Sequence, residues 1–218
     1  MVKPRVVETT DGIQGEYNVQ IFDAMARRMR DKGWTEVGSI IKSGLDHDLA
    51  LEYGCGPGYI GLEWLMKTQN TKLKAVDISP EMIKLAQKNA AEYGLQSRVE
   101  YALNDGKNIP FPENTFDAVF TTSSFHEWQD PIVILSEFFR ILKPGGKAFV
   151  SDLRRDMSPI IKWFIYAVTK PKEIRPGLLT SLAAAYTVTE AEEIFKKTPF
   201  RNFSAQPNPF GLNIIAVK

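Results

Sequence analysis

The segment Glu52-Tyr53-Gly54-Cys55-Gly56-Pro57-Gly58-Tyr59-Ile60-Gly61 concentrates the residue types that could hold a ligand. Glycines at alternate positions let a backbone bend sharply and come close to a bound molecule. A helix that follows such a turn offers free N–H groups and the positive end of its dipole. Gly56, Gly58 and Gly61 satisfy G-x-G-x-x-G, a dinucleotide-binding pattern, but the run starts one step earlier at Gly54 and an acid, Glu52, precedes it. Taken alone, the turn fits several nucleotide ligands. Asp77 closes the next apolar run, where a carboxylate can accept from both ribose hydroxyls. That supports an adenosine ligand without choosing among cofactors. The plainer reading is that Gly58 and Gly61 permit helix–strand packing and Asp77 caps a strand end.

The chain has two histidines, far apart. His47, in Asp46-His47-Asp48, reads as a surface-loop residue, and no metal site is expected from the pair. His126 lies in Ser123-Ser124-Phe125-His126-Glu127-Trp128, just after an apolar run, and is the candidate general base. Its plainer reading is packing over a ligand or capping the next helix.

These residues need a scaffold, and the pattern supplies one. Up to about Gly15 the chain is polar and expected to be loosely held. Helical spacing begins at Glu16, with Ile21, Phe22, Met25 and Met29 on one face, and a second short helix carries Val37, Ile40 and Ile41. Strands are expected at 49–53, 73–77, 98–102, 116–121 and 147–151, the last entered through a Pro144-Gly145-Gly146 turn. Between them, Leu62, Leu65 and Met66 mark one helix. Ser79-Pro80-Glu81 starts another, and Asp130-Pro131 a third. The segment 158–169 is apolar on nearly every face and too short to cross a bilayer. It reads as a lid over the site, as a patch touching a membrane surface or partner, or as plain core. Arg175-Pro176-Gly177 reads as a turn, Thr189 with Glu192 as a capping box, and 202–218 as two strands joined through Pro207-Asn208-Pro209. Alternating strands and helices imply a doubly wound, mostly parallel sheet, whose ligands sit beyond the strand carboxyl ends at the switch point.

The 218 residues suit one α/β domain. A net charge of +1, with no long basic run, gives no support for a nucleic-acid partner. One cysteine, Cys55, excludes an internal disulfide and a cysteine-held zinc. The polar N-terminal stretch is not expected to act as a signal peptide and no run is long enough to span a bilayer, so the cytoplasm is the expected location.

Later motifs narrow the cofactor. Asn104-Asp105-Gly106, Ile109-Pro110-Phe111-Pro112 leading to Phe116-Asp117-Ala118-Val119, and Arg140-Ile141-Leu142-Lys143-Pro144-Gly145-Gly146 follow Glu52-x-Gly-x-Gly-x-Gly and Asp77 in order. Together, from about Leu49 to Asp152, they resemble the UbiE-like branch of the class I S-adenosylmethionine-dependent methyltransferases. The resemblance implies a Rossmann-like seven-stranded, mostly parallel sheet with helices on both faces and an antiparallel last strand. It implies S-adenosylmethionine as cofactor. Gly54, Cys55, Gly56 and Gly58 would pack on its methionine and ribose parts, and Glu52 would lie near the methionine amino group. Asp77 would hold the ribose, with Ile78 and Met82 against the adenine. Asn104 belongs to the same segment; Asp105 would accept from the adenine amino group, and the Gly106 N–H would donate to the ring. Thr121 and Ser123 would lie beside the methionine, and Tyr17 would close over the cofactor. Where the family often has Leu-His-His, this chain has Phe125-His126-Glu127.

On the substrate side stand His126, Trp128, Arg154, Trp163 and Tyr186, and an apolar lid favours an apolar or aromatic small-molecule acceptor. The expected layout is a helical cap (1–48), a cofactor core (49–152), a lid insertion (153–188) and a final helix with a strand pair (189–218). The rival readings are a methyltransferase acting on RNA or protein, a non-catalytic S-adenosylmethionine-binding protein, and a nicotinamide oxidoreductase.

Overall fold

Strands buried on both faces of a sheet read as continuous apolar runs, and the runs from Leu49 onward do become strands. The computed structural model describes residues 3–8 and 12–218. The strands are β1 (Leu49–Tyr53), β2 (Lys72–Asp77), β3 (Val99–Leu103), β4 (Phe116–Thr122), β5 (Leu142–Asp152), β6 (Asn202–Asn208) and β7 (Gly211–Val217). They form one seven-stranded sheet in the order β3-β2-β1-β4-β5-β7-β6. The pairs β1–β2, β1–β4, β2–β3 and β4–β5 are parallel, and β7 runs antiparallel to both β5 and β6. The order reverses beside β1, whose neighbours are β2 and β4.

Helices α1 (Glu16–Asp31), α2 (Val37–Lys42), α3 (Tyr59–Lys67), α4 (Pro80–Glu92), α5 (Pro131–Ile141), α6 (Pro159–Val168), α7 (Arg175–Ala184) and α8 (Val188–Lys196) accompany the sheet. Alternation along the strands divides the core in two. Ala50, Leu73, Ala75, Ala118, Phe120 and Phe149 meet Trp64 and Leu65 of α3 on one face. Leu51, Val76, Val119, Ala148 and Val150 meet Leu135 and Phe138 of α5 and Phe195 of α8 on the other. Between Phe116 and Ala118 the β4–β5 register shifts, so Phe116 sides with the second face although its parity matches the first.

Several local expectations change. Residues 3–8 are tied down: Val6 N–H donates to Ala183 O (3.1 Å) and Arg5 donates to Ala184 O and His126 O. The expectation for 9–11 falls outside the described residues. Of the three residues that mark α3, Leu62 and Leu65 are buried and Met66 is exposed. Pro144-Gly145-Gly146 lies within β5, because Gly145 N–H donates to Lys218 O and Lys218 N–H to Gly146 O, pairings a free turn would lack. Arg175-Pro176-Gly177 opens α7, with proline in the first turn where its missing N–H costs nothing. The final hairpin turns at Pro209-Phe210, since Pro207 and Asn208 still pair with Leu212 and Gly211.

The capping box also moves. Thr187 caps α8 by accepting from Glu190 N–H, while the Glu190 carboxylate accepts from Thr187 N–H. Thr189 is inside the helix. Urea unfolding should therefore show Thr187→Ala costing about 1 kcal/mol and Thr189→Ala a small fraction of that.

Candidate functional site

At the end of β1 the chain leaves the sheet over β2: the N–H groups of Gly54 and Cys55 both donate to Val76 O, at 2.8 and 3.1 Å. Gly54 has φ of 72°, and a side chain there would press on Ser124, whose Oγ and Cβ lie 3.0 and 3.1 Å from the position of a Cβ. Only glycine lets the turn pass so close to the segment after β4. Gly56 follows with φ of 51° and donates its N–H to Asp77 Oδ2 at 2.8 Å. Asp77 Oδ1 accepts from Ser79 N–H at 2.9 Å, so one carboxylate braces both the glycine loop and the start of α4. Burial raises the Asp77 pKa, with those backbone donors opposing the shift. Gly58 does not face the cavity; a Cβ on it would meet Ala86 of α4 and Tyr101, which is the packing role.

Glu52 is 3% exposed. Burial pushes its carboxyl up to about 8, against a hydrogen bond from Gly61. Its Oε2 is buried without a hydrogen-bond partner among the described residues. Such an atom is costly to leave unmade, and Glu52 borders the cavity beside the glycine loop.

The cavity occupies about 1270 Å³ at the carboxyl ends of the strands. Glu52, Gly54, Cys55, Gly56, Asp77, Ile78, Met82, Asn104, Asp105, Gly106 and Ser123 line it. Asn104 and Asp105 have their side chains engaged in their own loop. The Asp105 carboxylate accepts from Lys107 N–H, Asn108 N–H and the Asn108 side chain, which together lower its pKa. The Gly106 N–H donates to Asn104 Oδ1 at 2.5 Å. Both groups expected to read an adenine thus also brace their own loop while bordering the cavity. Thr121 is fully buried behind the wall, with its hydroxyl 2.6 Å from Ser124 Oγ. Tyr17 is 67% exposed and lies away from the cavity. Its neighbour on α1, Phe22, takes that place, with its ring edge 3.5 Å from where a Gly56 Cβ would be. The expected apolar face of α1 is real but borders open space: Phe22, Met25 and Met29 line the cavity, and Val19 alone is fully buried.

The opposite wall is built from α6 and α7. No residue of α6 is buried, which overturns the plain-core reading of 158–169. Phe164, Ile165 and Val168 border the cavity, while Ile160 and Trp163 are exposed on other faces. Trp163 is therefore not brought to the site. Neither is Arg154, which pairs with Asp156 at 3.0 Å, nor Tyr186, which packs between Phe125 and the Arg5 guanidinium. Trp128 reaches the cavity with one edge and otherwise packs on Tyr53, Phe125 and Phe138.

His126 sits on a 3₁₀ turn, Phe125–Glu127, and is 3% exposed. Asp152, at the end of β5, accepts from its backbone N–H (2.7 Å) and from ring Nδ1 (2.8 Å). Ring Nε2 points to Glu8 Oε2 at 3.4 Å and Glu127 Oε1 at 3.9 Å. Burial disfavours charge on the ring, but Asp152 and the two glutamates outweigh it and lift His126 to about 9. Burial pushes Glu127 up to about 7. A ring protonated at neutral pH is in the wrong state to take a proton from an acceptor, which weighs against the general-base reading. The sequence offered no pattern for Glu8 or Arg5. Asp152 ends β5, and its pairing with His126 follows from β4 and β5 being neighbours.

A doubly wound sheet with a glycine turn at its switch point and an acid ending the second strand defines a nucleotide-cofactor-binding fold. Residues 51–150 match the family model for a methyltransferase domain. Demethylmenaquinone methyltransferase of Symbiobacterium thermophilum is 26% identical over 171 residues, covering 70% of this chain and 68% of the relative. Ajmaline N-methyltransferase of Rauvolfia serpentina is 34% identical over 110 residues, covering 50% of this chain and 38% of the relative. The chain thus spans little more than a third of that relative's length. A solved S-adenosylmethionine-dependent methyltransferase from Aquifex aeolicus superposes with a TM-score of 0.67 at 24% identity, over 84% of this chain and 89% of that one, and shows the shared fold. Residues 51–150 thus carry the methyltransferase-domain pattern, and this part of the chain is similar to S-adenosylmethionine-dependent methyltransferases, a demethylmenaquinone methyltransferase among them.

Proposed function

We propose that this protein transfers a methyl group from S-adenosylmethionine to a small-molecule acceptor held in the apolar half of the cavity, in a cytoplasmic setting. The observation that carries the reading is Glu52. Its buried carboxylate oxygen without a partner among the described residues, beside a loop whose Gly54 leaves no room for a side chain, fits the ammonium of the cofactor's methionine end. The cofactor, when bound, supplies a methyl already activated on a sulfonium sulfur. The chain supplies position. Asp77 serves the ribose while bracing Gly56, and Ile78 and Met82 flank the adenine. Gly54, Cys55 and Gly56 form the floor, and Ser123 lies towards the methionine. Phe22, on α1, closes over this half in the place assigned to Tyr17.

The acceptor lies towards Met25, Met29, Phe164 and Val168, with 153–188 as its lid. An acceptor held in line and close to the methyl gains several kcal/mol from orientation alone. Polar recognition at that end falls to His126, fixed by Asp152, and to Glu127. The apolar walls and the acidic cluster favour an aromatic or apolar acceptor over RNA.

Calorimetric titration with S-adenosylhomocysteine, with NADH as control, tests the reading. Saturable binding of the first and none of the second is expected. Asp77→Ala should weaken binding at least tenfold, since charge-assisted hydrogen bonds contribute roughly 1.5–3 kcal/mol. Unchanged affinity in the variant removes the ribose assignment, and binding of NADH instead moves the protein to the oxidoreductases.

A further inference from the structure

We propose that Glu8, His126 and Glu127 form a binding site for one divalent transition-metal ion of the zinc type at the acceptor end of the cavity. His126 Nε2 and the two glutamate carboxylates offer ligand atoms that all lie within 4.8 Å of one another. Zinc binds imidazole nitrogen and carboxylate oxygen at about 2.0–2.2 Å, which places two ligands of a tetrahedral ion roughly 3.3–3.5 Å apart. Glu8 Oε2 stands 3.4 Å from Nε2, at that separation already. Glu127 Oε1 stands at 3.9 Å, within a small side-chain rotation.

Two further observations point to a ligand. His126 is 3% exposed, and among the described residues its Nε2 has no hydrogen-bond partner; Glu8 Oε2 is likewise buried without one among them. The two atoms face each other at 3.4 Å, with Glu127 Oε1 at 3.9 Å from Nε2. Each ligand is also held from behind. Asp152 accepts from ring Nδ1 at 2.8 Å, the carboxylate–histidine arrangement that orients a metal-binding imidazole and raises its basicity. The other Glu8 oxygen, Oε1, is engaged by the hydroxyls of Thr180 and Ser181 on α7, leaving Oε2 for the cluster. Glu8, His126, Glu127 and Asp152 all border the cavity, so a three-ligand ion would keep an open position towards the acceptor. Three protein ligands with one open position is the pattern of reactive rather than structural zinc.

The proposal rests on the reading above only in calling this end of the cavity the acceptor end. Metal binding is measured without cofactor or acceptor, so the two can fail separately. The whole chain, freed of metal by chelator dialysis, is titrated with Zn²⁺ by calorimetry and with Co²⁺ by visible absorption, with Mg²⁺ as control. One equivalent of Zn²⁺ should bind at micromolar concentration or tighter, Co²⁺ should show tetrahedral d–d bands, and Mg²⁺ should bind far more weakly. His126→Ala should weaken Zn²⁺ binding at least about a hundredfold, and Asp152→Asn by about ten- to a hundredfold. Glu8→Gln and Glu127→Gln alter side chains that retain some solvent contact, so they report even where the His126 variant fails to fold; each should weaken binding at least tenfold. Absence of saturable Zn²⁺ binding below about 100 µM, or binding indifferent to all of these variants, overturns the proposal and leaves the cluster as a charge network around His126.

Discussion

Replacing Glu52 with Gln should make the cofactor-free protein more stable above pH 8 and at the same time weaken its hold on S-adenosylhomocysteine. Both effects have one origin. The Glu52 carboxyl rises from 4.5 to about 8 because burial strips water from its charged form. A carboxyl whose folded pKa lies above its unfolded value favours folding while it stays protonated. That contribution is whole below about pH 4.5 and is lost as pH climbs towards 8. At 1.36 kcal/mol per pKa unit, the loss has a ceiling of roughly 5 kcal/mol. Glutamine does not titrate, so the difference between the two proteins should widen across that window in urea unfolding at pH 5, 7 and 9.

Ligand binding should show the opposite preference. A cationic ammonium beside Glu52 needs the ionised carboxylate, so wild-type affinity should climb up to about tenfold per pH unit between 6 and 8, with a proton released on binding. The variant should bind with little pH dependence there and about ten- to a hundredfold more weakly at pH 8. Parallel pH profiles in the two proteins would remove Glu52 from the cofactor.

Gly61→Ala should damage the same place from the other side. A Cβ at Gly61 would overlap the Glu52 carboxylate and Leu73, because α3 passes directly over β1 and β2 here. Overpacking a filled interior costs about 1–3 kcal/mol, sometimes more. The new methyl must push the carboxylate away or lift the helix, and either shift moves the glycine loop that the helix follows. A fall in unfolding free energy together with loss of S-adenosylhomocysteine binding is expected. Glu52→Ala, which vacates the space, should recover part of the stability but none of the binding. That double-mutant coupling separates a steric cause from a general loss of helix stability. Strict additivity of the two changes would contradict the close packing.

The sheet was readable in advance because its signals are local. Buried parallel strands leave apolar runs, glycine turns mark their exits, and Ser79-Pro80 and Asp130-Pro131 mark helix starts that the structure retains. The glycine loop and Asp77 were likewise legible, since a tight turn constrains residue type at fixed spacing. Failures arose where tertiary contact decided. The motif does not show that the Asp105 carboxylate also accepts from Lys107 and Asn108 within its own loop. Tyr17 and Phe22 both lie on α1, and only the helix's final rotation determines which aromatic meets the loop. Arg154 and Trp163 were read as substrate-facing from neighbourhood alone; an ion pair takes one, and the direction of α6 takes the other. Glu8 could not be found at all, because nothing near it in sequence records that it docks against α7.

That docking has a consequence for the order in which the protein is made. The residues that carry the cofactor loop, Asp77 and the wall after β4 all lie between Leu49 and Asp152, and the parallel pairs β1–β2, β1–β4, β2–β3 and β4–β5 form within that span. The acceptor end is different. Arg5 waits for Ala184 and His126, Val6 for Ala183, and Glu8 for Thr180. At ribosomal speeds of about 5–20 residues per second, these first residues spend roughly ten to thirty-five seconds without their partners. Contacts spanning so much sequence also form late in refolding, because loop closure must precede them. The protein should therefore pass through a stage in which the cofactor half is shaped while Glu8 is still absent from the His126 cluster.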